Sequence, residues 1–427
     1  MRCLTRPNPC SRRRLSALPV LLLAAACCVH AGTLTWPGPP PCSTTLQDCI
    51  EGAPDGGVVE IATDGPIDEA VEISGKSLTL RPAAGFTPVF EGSQSFDAIQ
   101  AFGADAPVTI SIEGMTVRGG EFIGAYQRGS GEFSAIIRDN VIEADALAGN
   151  LSAIEIGTFG SNATGTTGFF IYNNRIRLGF LGIDDIAAIR VDDLPGDTFG
   201  FVLANTVTVG GPASALGAIE IHNAAGAADF EVSYNRIEAQ GYNRGIYLDQ
   251  DGTGAMTARV FNNLVTGTVA ITGPQPGAIS LRAAAGSLAA NVLSNTLAGN
   301  DTGFIASVGA GASLTGVLAN TIVANNANHG VVIGSAAAHF SNEHNLVFGN
   351  GPDDFTAGPG TILADPLFVG AGDFHPQRGS PVRDAGNTAF AEDIVYDLDG
   401  SPRVMGAEID IGAWELADLI FADGFDV

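Results

Sequence analysis

The sequence predicts an all-β fold, a single right-handed parallel β-helix (a β-solenoid) of roughly eleven coils with a cap at each end. The main observation is a recurring phrase: asparagine, any residue, then an apolar residue. Successive asparagines are 34, 31, 30, 28, 32, 25 and 25 residues apart, at Asn140, Asn174, Asn205, Asn235, Asn263, Asn295, Asn320 and Asn345. A drifting period of this size, without helical periodicity between the repeats, is typical of stacked coils. The right-handed assignment follows because crossovers between parallel strands are almost always right-handed.

We interpret these asparagines as a structural ladder. Neighbouring coils lie about 4.8 Å apart, so equivalent amide side chains can hydrogen-bond from one coil to the next. Asparagine also tolerates the left-handed backbone of a sharp turn. A buried ladder penalises any coil that slips in register, because an unsatisfied buried amide costs about 1–3 kcal/mol.

Short alternating segments predict the strands of the solenoid. Early strands are expected at residues 58–61, 71–73, 78–80 and 108–112, where apolar and polar residues alternate between turn residues. A second strand signature, apolar-polar-apolar, recurs in the later coils at residues 154–156, 189–191, 219–221, 246–248 and 279–281. The outer apolar pair of each triplet is expected to face the core, because side chains alternate between the two faces of a strand.

The two ends of the chain differ from the repeats. Residues 1–31 resemble an export signal with basic residues before an apolar run, and we expect cleavage after Ala31. Residues 32–57 are expected to cap the first coil, with a short helix starting after Thr44 and Thr45 and a disulfide between Cys42 and Cys49. The β-helix is expected over residues 58–360, a closing region over 361–415 and a tail over 416–427. No later segment is apolar enough to span a membrane.

The chain is strongly acidic, with a formal charge of −26. Five arginines and no acidic residue lie in the export signal, so the remaining chain has 15 basic and 46 acidic residues and a charge of −31. This charge excludes nucleic acid as a partner, since nothing would neutralise the phosphates. It also repels anionic polysaccharides unless calcium bridges the two surfaces.

The repeats resemble those of the right-handed parallel β-helix superfamily that includes pectate lyases. NTLAGN (residues 295–300), NTIVANN (320–326) and HNLVFGN (344–350) are similar to phrases of that class. DPLFVGAGDFHPQRGSPVRDAGN (365–387) and DLDGSPRVMGAEIDIGAWE (397–415) resemble the ends of secreted bacterial β-helix proteins of the choice-of-anchor Q group. The resemblance implies export to the periplasm, the outer surface or the medium, and it implies no particular reaction.

The chain departs from the enzymes of that superfamily. Polygalacturonases place an aspartate pair and a His-Gly pair on adjacent coils, whereas here Asp184–Asp185 and His329–Gly330 are 145 residues apart. The Arg-Pro-Arg segment of the pectate lyases is missing from the sequence. The resemblance therefore does not carry over a glycosidase or lyase site.

The outward residues of the second strands give the candidate site. In register, one column contains Glu155, Arg190, Glu220, Tyr247 and Ser280, and a second contains Asp192, His222, Asp249 and Arg282. Carbohydrate sites combine aromatic faces with carboxylates and arginines in this way. The plainer interpretation, which the sequence favours, is a solvent-exposed strand face on which Glu155, Arg190 and Glu220 form a cross-strand charge ladder.

Metal sites have weaker signals. Asp397 and Asp399 begin a calcium-like loop, but the following ligands are missing, so a turn in which aspartate accepts backbone N–H bonds is favoured, with Asp410 pairing Arg403. His222 and His329 lack the partner spacing of a zinc site. We expect no certain cofactor, with calcium the open alternative.

We expect an exported protein whose long face binds glycans or other surface molecules without catalysis. One alternative is a polysaccharide-active enzyme, such as a lyase that uses Arg190 or Arg282 with calcium. Another alternative is a structural scaffold at the cell surface.

Overall fold

The chain folds as a parallel β-helix in which three long sheets run along the solenoid. The structure, a computed structural model, describes residues 32–91, 97–119, 122–147, 151–160, 163–180, 186–192, 194, 196–211, 214–270, 276–334, 339–352, 356–370, 372–391 and 393–417. Within these residues the sheets have 12, 11 and 10 strands, which gives about ten complete turns against the eleven expected. The predicted export signal and Asp184–Asp185 lie outside the described residues.

Three sheets, which we name A, B and C in the order in which each coil visits them, contain the parallel strands. Sheet A consists of Thr33–Trp36, Gly57–Ile61, Leu78–Pro82, Val108–Glu113, Phe133–Arg138, Thr167–Tyr172, Thr198–Leu203, Ala227–Ser233, Ala255–Phe261, Ser287–Leu293, Ser313–Ala319 and His339–Glu343. Sheet B consists of Pro66–Ile67, Val89–Glu91, Thr116–Arg118, Val141–Leu147, Arg175–Phe180, Thr206–Gly210, Arg236–Ala239, Leu264–Thr266, Thr296–Ala298, Ile322–Ala324 and Leu346–Phe348. Sheet C consists of Val71–Ile73, Ile99–Phe102, Ile123–Gln127, Leu151–Thr158, Ile186–Val191, Ser214–Asn223, Tyr242–Gln250, Gly277–Ala283, Thr302–Val308 and His329–Ile333.

The core is a continuous stack of aliphatic and aromatic side chains inside the coil. Ile154, Ile189, Ile219, Ile246 and Ile279 occupy the same register position on successive strands of sheet C, and all are buried. The outer apolar residues of the predicted apolar-polar-apolar triplets therefore face the core as expected. Each buried aliphatic side chain stabilises the coil by roughly 1.5–3 kcal/mol.

The asparagine ladder lies at the turn between sheets A and B. Nδ2 of Asn140 donates to Oδ1 of Asn174 at 3.0 Å, and the backbone N–H of Asn140 donates to the same oxygen at 3.1 Å. This pattern repeats from coil to coil as far as Asn295, with every Nδ2–Oδ1 distance equal to 3.0 Å. The left-handed backbone falls on the residue before the ladder position, where φ lies between 49° and 59°, as at Asp139 and Asn262.

The assignment of Asn320 to the ladder was wrong by one residue. Asn320 takes the left-handed position of its turn, and Thr321 takes the ladder position. Thr321 accepts from the N–H of Asn295 at 3.3 Å and donates its own N–H to Oδ1 of Asn345 at 2.9 Å. The side chain of Asn320 instead bonds the backbone N–H and carbonyl of Asn387.

A second, shorter ladder that the sequence analysis missed lies between sheets B and C. Oδ1 of Asn300 accepts from the N–H of Thr268 at 3.2 Å, and Oδ1 of Asn326 accepts from the N–H of Asn300 at 3.0 Å. Nδ2 of Asn326 continues it to Asn350 at 2.9 Å. The signal was the asparagine at the end of each of the phrases NTLAGN, NTIVANN and HNLVFGN.

The N-terminal end is covered by one short helix, α1, Leu46–Gly52. Its N-cap is Thr45, which forms a reciprocal capping box with Asp48, and Leu46, Cys49 and Ile50 are buried. Cys42 and Cys49 are joined in a disulfide. Strand Thr33–Trp36 adds to the edge of sheet A, so this segment extends the solenoid as well as covering it.

The last part of the chain folds back along the outside of the solenoid. We name residues 361–417 the C-terminal wrap; it contains the antiparallel hairpin Phe368–Gly370 and Asp373–Pro376 and the 3₁₀ turn Thr388–Phe390. Its buried Ile411 and Val382 pack on Ile322 and Leu346, outward residues of sheet B. Further along, the wrap reaches Tyr234, whose hydroxyl donates to the carbonyl of Tyr396 at 3.3 Å. The wrap thus covers one side of the later coils.

Among the described residues, α1 is far too short to cross a membrane, and no other helix is long and apolar enough to do so.

Candidate functional site

The two predicted outward columns lie in register on sheet C. Glu155, Arg190, Glu220, Tyr247 and Ser280 are successive partners across the strands. His222, Asp249 and Arg282 form the second column, and Asp192 follows the end of its strand at the same level. Register alone therefore brings together the polar residues of five neighbouring coils.

The middle of this face is buried, contrary to the expectation of a wet strand surface. Glu220 and Asp249 are each 2% exposed, and Tyr247 is 4% exposed. Every residue of strand Tyr242–Gln250 is buried, on both faces of the sheet. Buried ionisable groups are costly unless they are paired, and clusters of them are typical of functional sites. This burial makes the face a candidate site rather than a charge ladder.

Glu220 holds His222 in place. Oε1 of Glu220 lies 2.6 Å from Nε2 of His222, and Oε2 accepts the backbone N–H of Gly217 at 2.6 Å. Both carboxylate oxygens are therefore engaged, and the imidazole ring is oriented with Nδ1 at 3.7 Å from Oδ2 of Asp249. Glu220 therefore bonds His222 on its own strand, whereas the predicted charge ladder joined it to residues of neighbouring strands.

Asp249 lies at the centre of a second group of contacts. Its Oδ2 accepts from the hydroxyl of Tyr247 at 2.8 Å and from Nη1 of Arg282 at 2.7 Å. Its Oδ1 is buried and makes no hydrogen bond within the described part of the chain. The guanidinium of Arg244 lies over the Tyr247 ring, 4.1 Å from its centroid. Charges of both signs thus share a small, largely dry volume.

The surroundings raise the pKa of two residues, His222 and Tyr247. Burial alone lowers the pKa of the His222 imidazole, but the hydrogen bond and the charge of Glu220 raise it. The charges of Asp249 and Asp192 add to this effect, and the pKa ends above its ordinary value. Burial, reinforced by the charge of Asp249, raises the pKa of the Tyr247 hydroxyl, which stays protonated as a hydrogen-bond donor.

The coil next to this cluster is more open. Nη2 of Arg190 donates to Asp192 at 2.7 Å, and the two side chains are about one third exposed. Both therefore offer a charged group at the surface, beside the buried carboxylates. A ligand on this face can therefore contact the charged groups of Arg190 and Asp192 without displacing the buried network.

An aromatic group, which we name the Phe159 platform, lies on the same sheet toward the N-terminus. The rings of Phe102, Tyr126 and Phe159 lie 5.3–6.3 Å apart. The guanidinium of Arg128 lies 3.9 Å from the Phe102 centroid, and Phe159 is 51% exposed. Tyr126 is five coils from Arg282, about 24 Å along the solenoid. Sheet C thus presents an aromatic end and a charged end on one face.

Asp397 and Asp399, which begin the calcium-like loop, form hydrogen bonds with groups of the protein. Oδ1 of Asp397 accepts the N–H groups of Asp399 and Ser401, and its Oδ2 accepts that of Glu415. Asp399 bonds Arg236 and, at 2.8 Å, Nε2 of His375. These contacts support the turn interpretation.

The ion pair that Arg403 forms is not the predicted one with Asp410. Arg403 is fully buried, and its carboxylate partner is Glu415 at 3.3 Å. It bonds Asp410 only through the backbone carbonyl, at 3.1 Å. His329, the other histidine considered, lies on the last strand of sheet C with Nδ1 against the carbonyl of Pro352.

Sequence reasoning missed several residues of the face: Arg244, Asp251 and the Phe159 platform. Arg244 precedes the apolar-polar-apolar triplet of its strand, where the pattern assigns no direction. Asp251 follows the strand at the next outward position after Asp249, so the period of two could have found it. Tyr126 lies on the strand Ile123–Gln127, which the sequence analysis does not predict. Phe159 follows the strand Leu151–Thr158, which extends two residues beyond the predicted triplet at 154–156.

Comparisons with known proteins give similarity of fold and nothing closer. No family matches the sequence, and no curated protein matches it either. A solved complex of XylC with xylose aligns over 87% of this chain and 95% of that one, with 11% identity and a TM-score of 0.47. Pectate lyase Pel9A aligns over 90% of this chain and 96% of its own, with 11% identity and a TM-score of 0.44. No residue of the site is carried over from either protein.

Proposed function

We propose that the outward face of sheet C, from the Phe159 platform to Arg282, binds a polysaccharide. The observation that carries this proposal is the buried network of Glu220, His222, Tyr247 and Asp249 on the outside of a solenoid. A coil does not need such residues for stability, because replacing buried ion pairs by apolar residues is often neutral or stabilising. A ligand that uses their charges and hydroxyls accounts for them.

The two ends of the face suit the two kinds of surface that sugars present, apolar C–H faces and hydroxyl groups. The exposed Phe159 ring and its neighbour Tyr126 offer flat apolar surfaces for the C–H faces of a ring. The partly exposed Arg190, Asp192 and Arg282 offer donors and acceptors for hydroxyl groups. An extended chain of sugars fits a face of this length better than a small molecule does.

The charge of the protein selects the class of polysaccharide. With a formal charge of −26, the chain repels a polyanion at physiological ionic strength unless a divalent cation bridges the two. We therefore propose a neutral polysaccharide as the ligand. An acidic polysaccharide is expected to bind only in the presence of calcium.

A polysaccharide-active enzyme is the second candidate, favoured by the short contact between Glu220 and His222. A buried carboxylate that holds an imidazole is a usable acid–base pair. The arginines suit a base role less well, because the contacts of Arg282 with Tyr247 and Asp249 outweigh its burial and raise its pKa. Binding without turnover is the leading proposal. A surface scaffold is the third possibility, and it predicts neither binding nor turnover.

We also propose that the protein is exported to the periplasm, the outer surface or the medium. The basic-apolar stretch at residues 1–31 supports this, as does the resemblance of residues 365–387 and 397–415 to the ends of choice-of-anchor Q proteins. A disulfide between Cys42 and Cys49 also fits an oxidising compartment. Fractionation of expressing cells tests this proposal directly.

The test of binding incubates the protein with a panel of neutral and acidic polysaccharides, with and without calcium, and records retention and chain length together. Retention of intact neutral polymer is the expected result. Shortened chains would show that the protein is an enzyme. If the polymer were neither retained nor shortened, the scaffold would be the remaining interpretation.

A pair of double variants locates the site. Arg190→Ala with Arg282→Ala removes two partly exposed arginines of sheet C, each paired with an aspartate. Arg81→Ala with Arg177→Ala removes two paired arginines from sheets A and B. We expect the first variant to lose about tenfold or more in affinity, ~1.4 kcal/mol, and the second to bind normally. Equal loss in both, at unchanged melting temperature, would contradict a site on sheet C.

A further inference from the structure

A cluster of side chains that can bind a cation lies at the charged end of sheet C. Within the described ranges, His222, Asp249 and Asp251 each offer one ligand atom, and these three atoms lie within 4.8 Å of one another. His222 is half-buried, Asp249 is buried and Asp251 is exposed. The cluster is open on the side of Asp251, where a cation could enter from solvent.

The imidazole of His222 is oriented as a metal ligand requires. Its Nε2 is 2.6 Å from a carboxylate oxygen of Glu220, which is itself held by the N–H of Gly217. The other ring nitrogen, Nδ1, is directed toward Asp249. Ligating histidines almost always bond a carboxylate or carbonyl through their second nitrogen, and this bond fixes the tautomer and the ring orientation.

Asp249 supplies an independent observation that points to a ligand. Tyr247 and Arg282 occupy its Oδ2, while its Oδ1 is buried and has no hydrogen-bond partner among the residues that the structure describes. An unpaired carboxylate oxygen on a residue that is only 2% exposed is unfavourable, whereas a bound cation would satisfy it.

We propose that His222, Asp249 and Asp251 bind a divalent transition-metal ion of the zinc type. One imidazole nitrogen and two carboxylates suit zinc or a similar first-row ion, whereas calcium takes six to eight oxygen ligands. Three protein ligands leave a position open on the sheet C face, where a ligand hydroxyl or a water molecule can bind. The spacing His-x₂₆-Asp-x-Asp gives no local signature, because the coil period brings the ligands together.

The test titrates the EDTA-treated protein at pH 7.5 with zinc, manganese or calcium chloride in separate calorimetric experiments without any glycan. The expected result is one equivalent of zinc bound more tightly than calcium. Zinc binding and glycan retention are measured independently, so this proposal and the proposed function can fail separately.

The variants are chosen so that folding does not decide the outcome. Asp251→Asn alters an exposed ligand, and Asp229→Asn is the matched exposed control on sheet A. We expect Asp251→Asn and His222→Gln to weaken zinc binding by about tenfold or more, with Asp229→Asn unchanged. Saturable zinc binding that survives Asp251→Asn, the absence of such binding, or a preference for calcium would each overturn the proposal.

Discussion

The asparagine ladder shows how single residues hold the register of the coils. Oδ1 of Asn263 accepts both the backbone N–H and the Nδ2 of Asn235, and its own Nδ2 donates to the carbonyl of Val232 and to Asn295. All these groups are buried, so each depends on the next coil for its hydrogen bonds. A coil that shifts by one residue leaves several of them unsatisfied.

Replacing Asn263 by leucine should destabilise the protein by about 2–5 kcal/mol, because it leaves buried donors and acceptors on two neighbouring coils unpaired. Thermal and denaturant unfolding measure the change. Asn291→Leu, at an exposed position of sheet A, is the control and should have little effect. If both variants unfolded alike, the ladder would not be a source of stability.

The register error at Asn320 has a physical cause. In other coils the apolar residue two positions after the ladder asparagine faces the core, as Ile142 does after Asn140. In the coil of Asn320 both Ile322 and Val323 are buried, because the C-terminal wrap covers the outward residue. A strand that is apolar on both faces no longer reports its register.

The outward residues of sheet B carry a signal that predicts the wrap. One outward column is charged in the early and middle coils, at Glu91, Arg118, Glu143 and Arg177, and becomes apolar in the late coils at Ala298, Ala324 and Phe348. Beside it, the late outward residues Ile322 and Leu346 are apolar as well. Exposed apolar faces of this kind require a cover. The resemblance of residues 365–415 to a shared ending gave no information on where that ending packs.

Ile411→Ala should loosen the wrap. Ile411 is fully buried against Ile322, Leu346 and Val382, and its truncation should cost about 2–5 kcal/mol. We expect limited proteolysis to release the wrap while the coils of the solenoid stay resistant, because local opening needs less free energy than global unfolding. Val369→Ala, at a 56% exposed position of the same segment, should behave as the unmodified protein. Cleavage throughout the solenoid at the same rate would contradict a separate wrap.

The contacts of His375 should make the wrap sensitive to pH. Burial lowers the pKa of His375, but its bonds to Asp373 and Asp399 outweigh this and raise the pKa above about 6.5. Arg236, which also bonds Asp399, and the Trp414 ring complete the charged and aromatic surroundings. Because the folded pKa is raised, this stabilisation is fully present below pH 6.5 and is lost as the pH rises through the folded value.

His375→Gln tests that dependence. The variant should lower the melting temperature, or speed proteolysis of the wrap, at pH 5.5 and should have a much smaller effect at pH 8.5. His339→Gln, exposed at the end of sheet A, serves as the control. A difference between the protein and His375→Gln that is the same at both pH values would rule out the ionic contribution.

At the scale of the whole molecule, the repeat predicts the architecture because each coil needs only its neighbours. The period of the asparagines and the alternation of the strands were enough to give the parallel solenoid and the two outward columns, but not the number of sheets. They could not give the burial of Glu220, Tyr247 and Asp249, because burial on an outward face depends on long side chains and loops of several coils. The contacts of Arg244 and Asp251 with these columns were hidden for the same reason.

Binding on sheet C requires that this face of the solenoid differ from the other two. Sheet A also presents half-buried aromatic residues, Phe170 and Phe201, whose rings stack at 5.0 Å. The next residue in register, Glu231, pairs with Arg259, and both of these side chains are partly exposed. Phe170 and Phe201 are a natural internal reference for the aromatic residues of sheet C.

Hydroxyl-radical footprinting with a retained polysaccharide identifies the face of the solenoid that binds it. Binding on sheet C should lower the oxidation of Phe159 and Tyr126 and leave Phe170 and Phe201 on sheet A unchanged. Protection of Phe170 and Phe201 instead, or of neither pair while the polymer is retained, would contradict the assignment of the binding face.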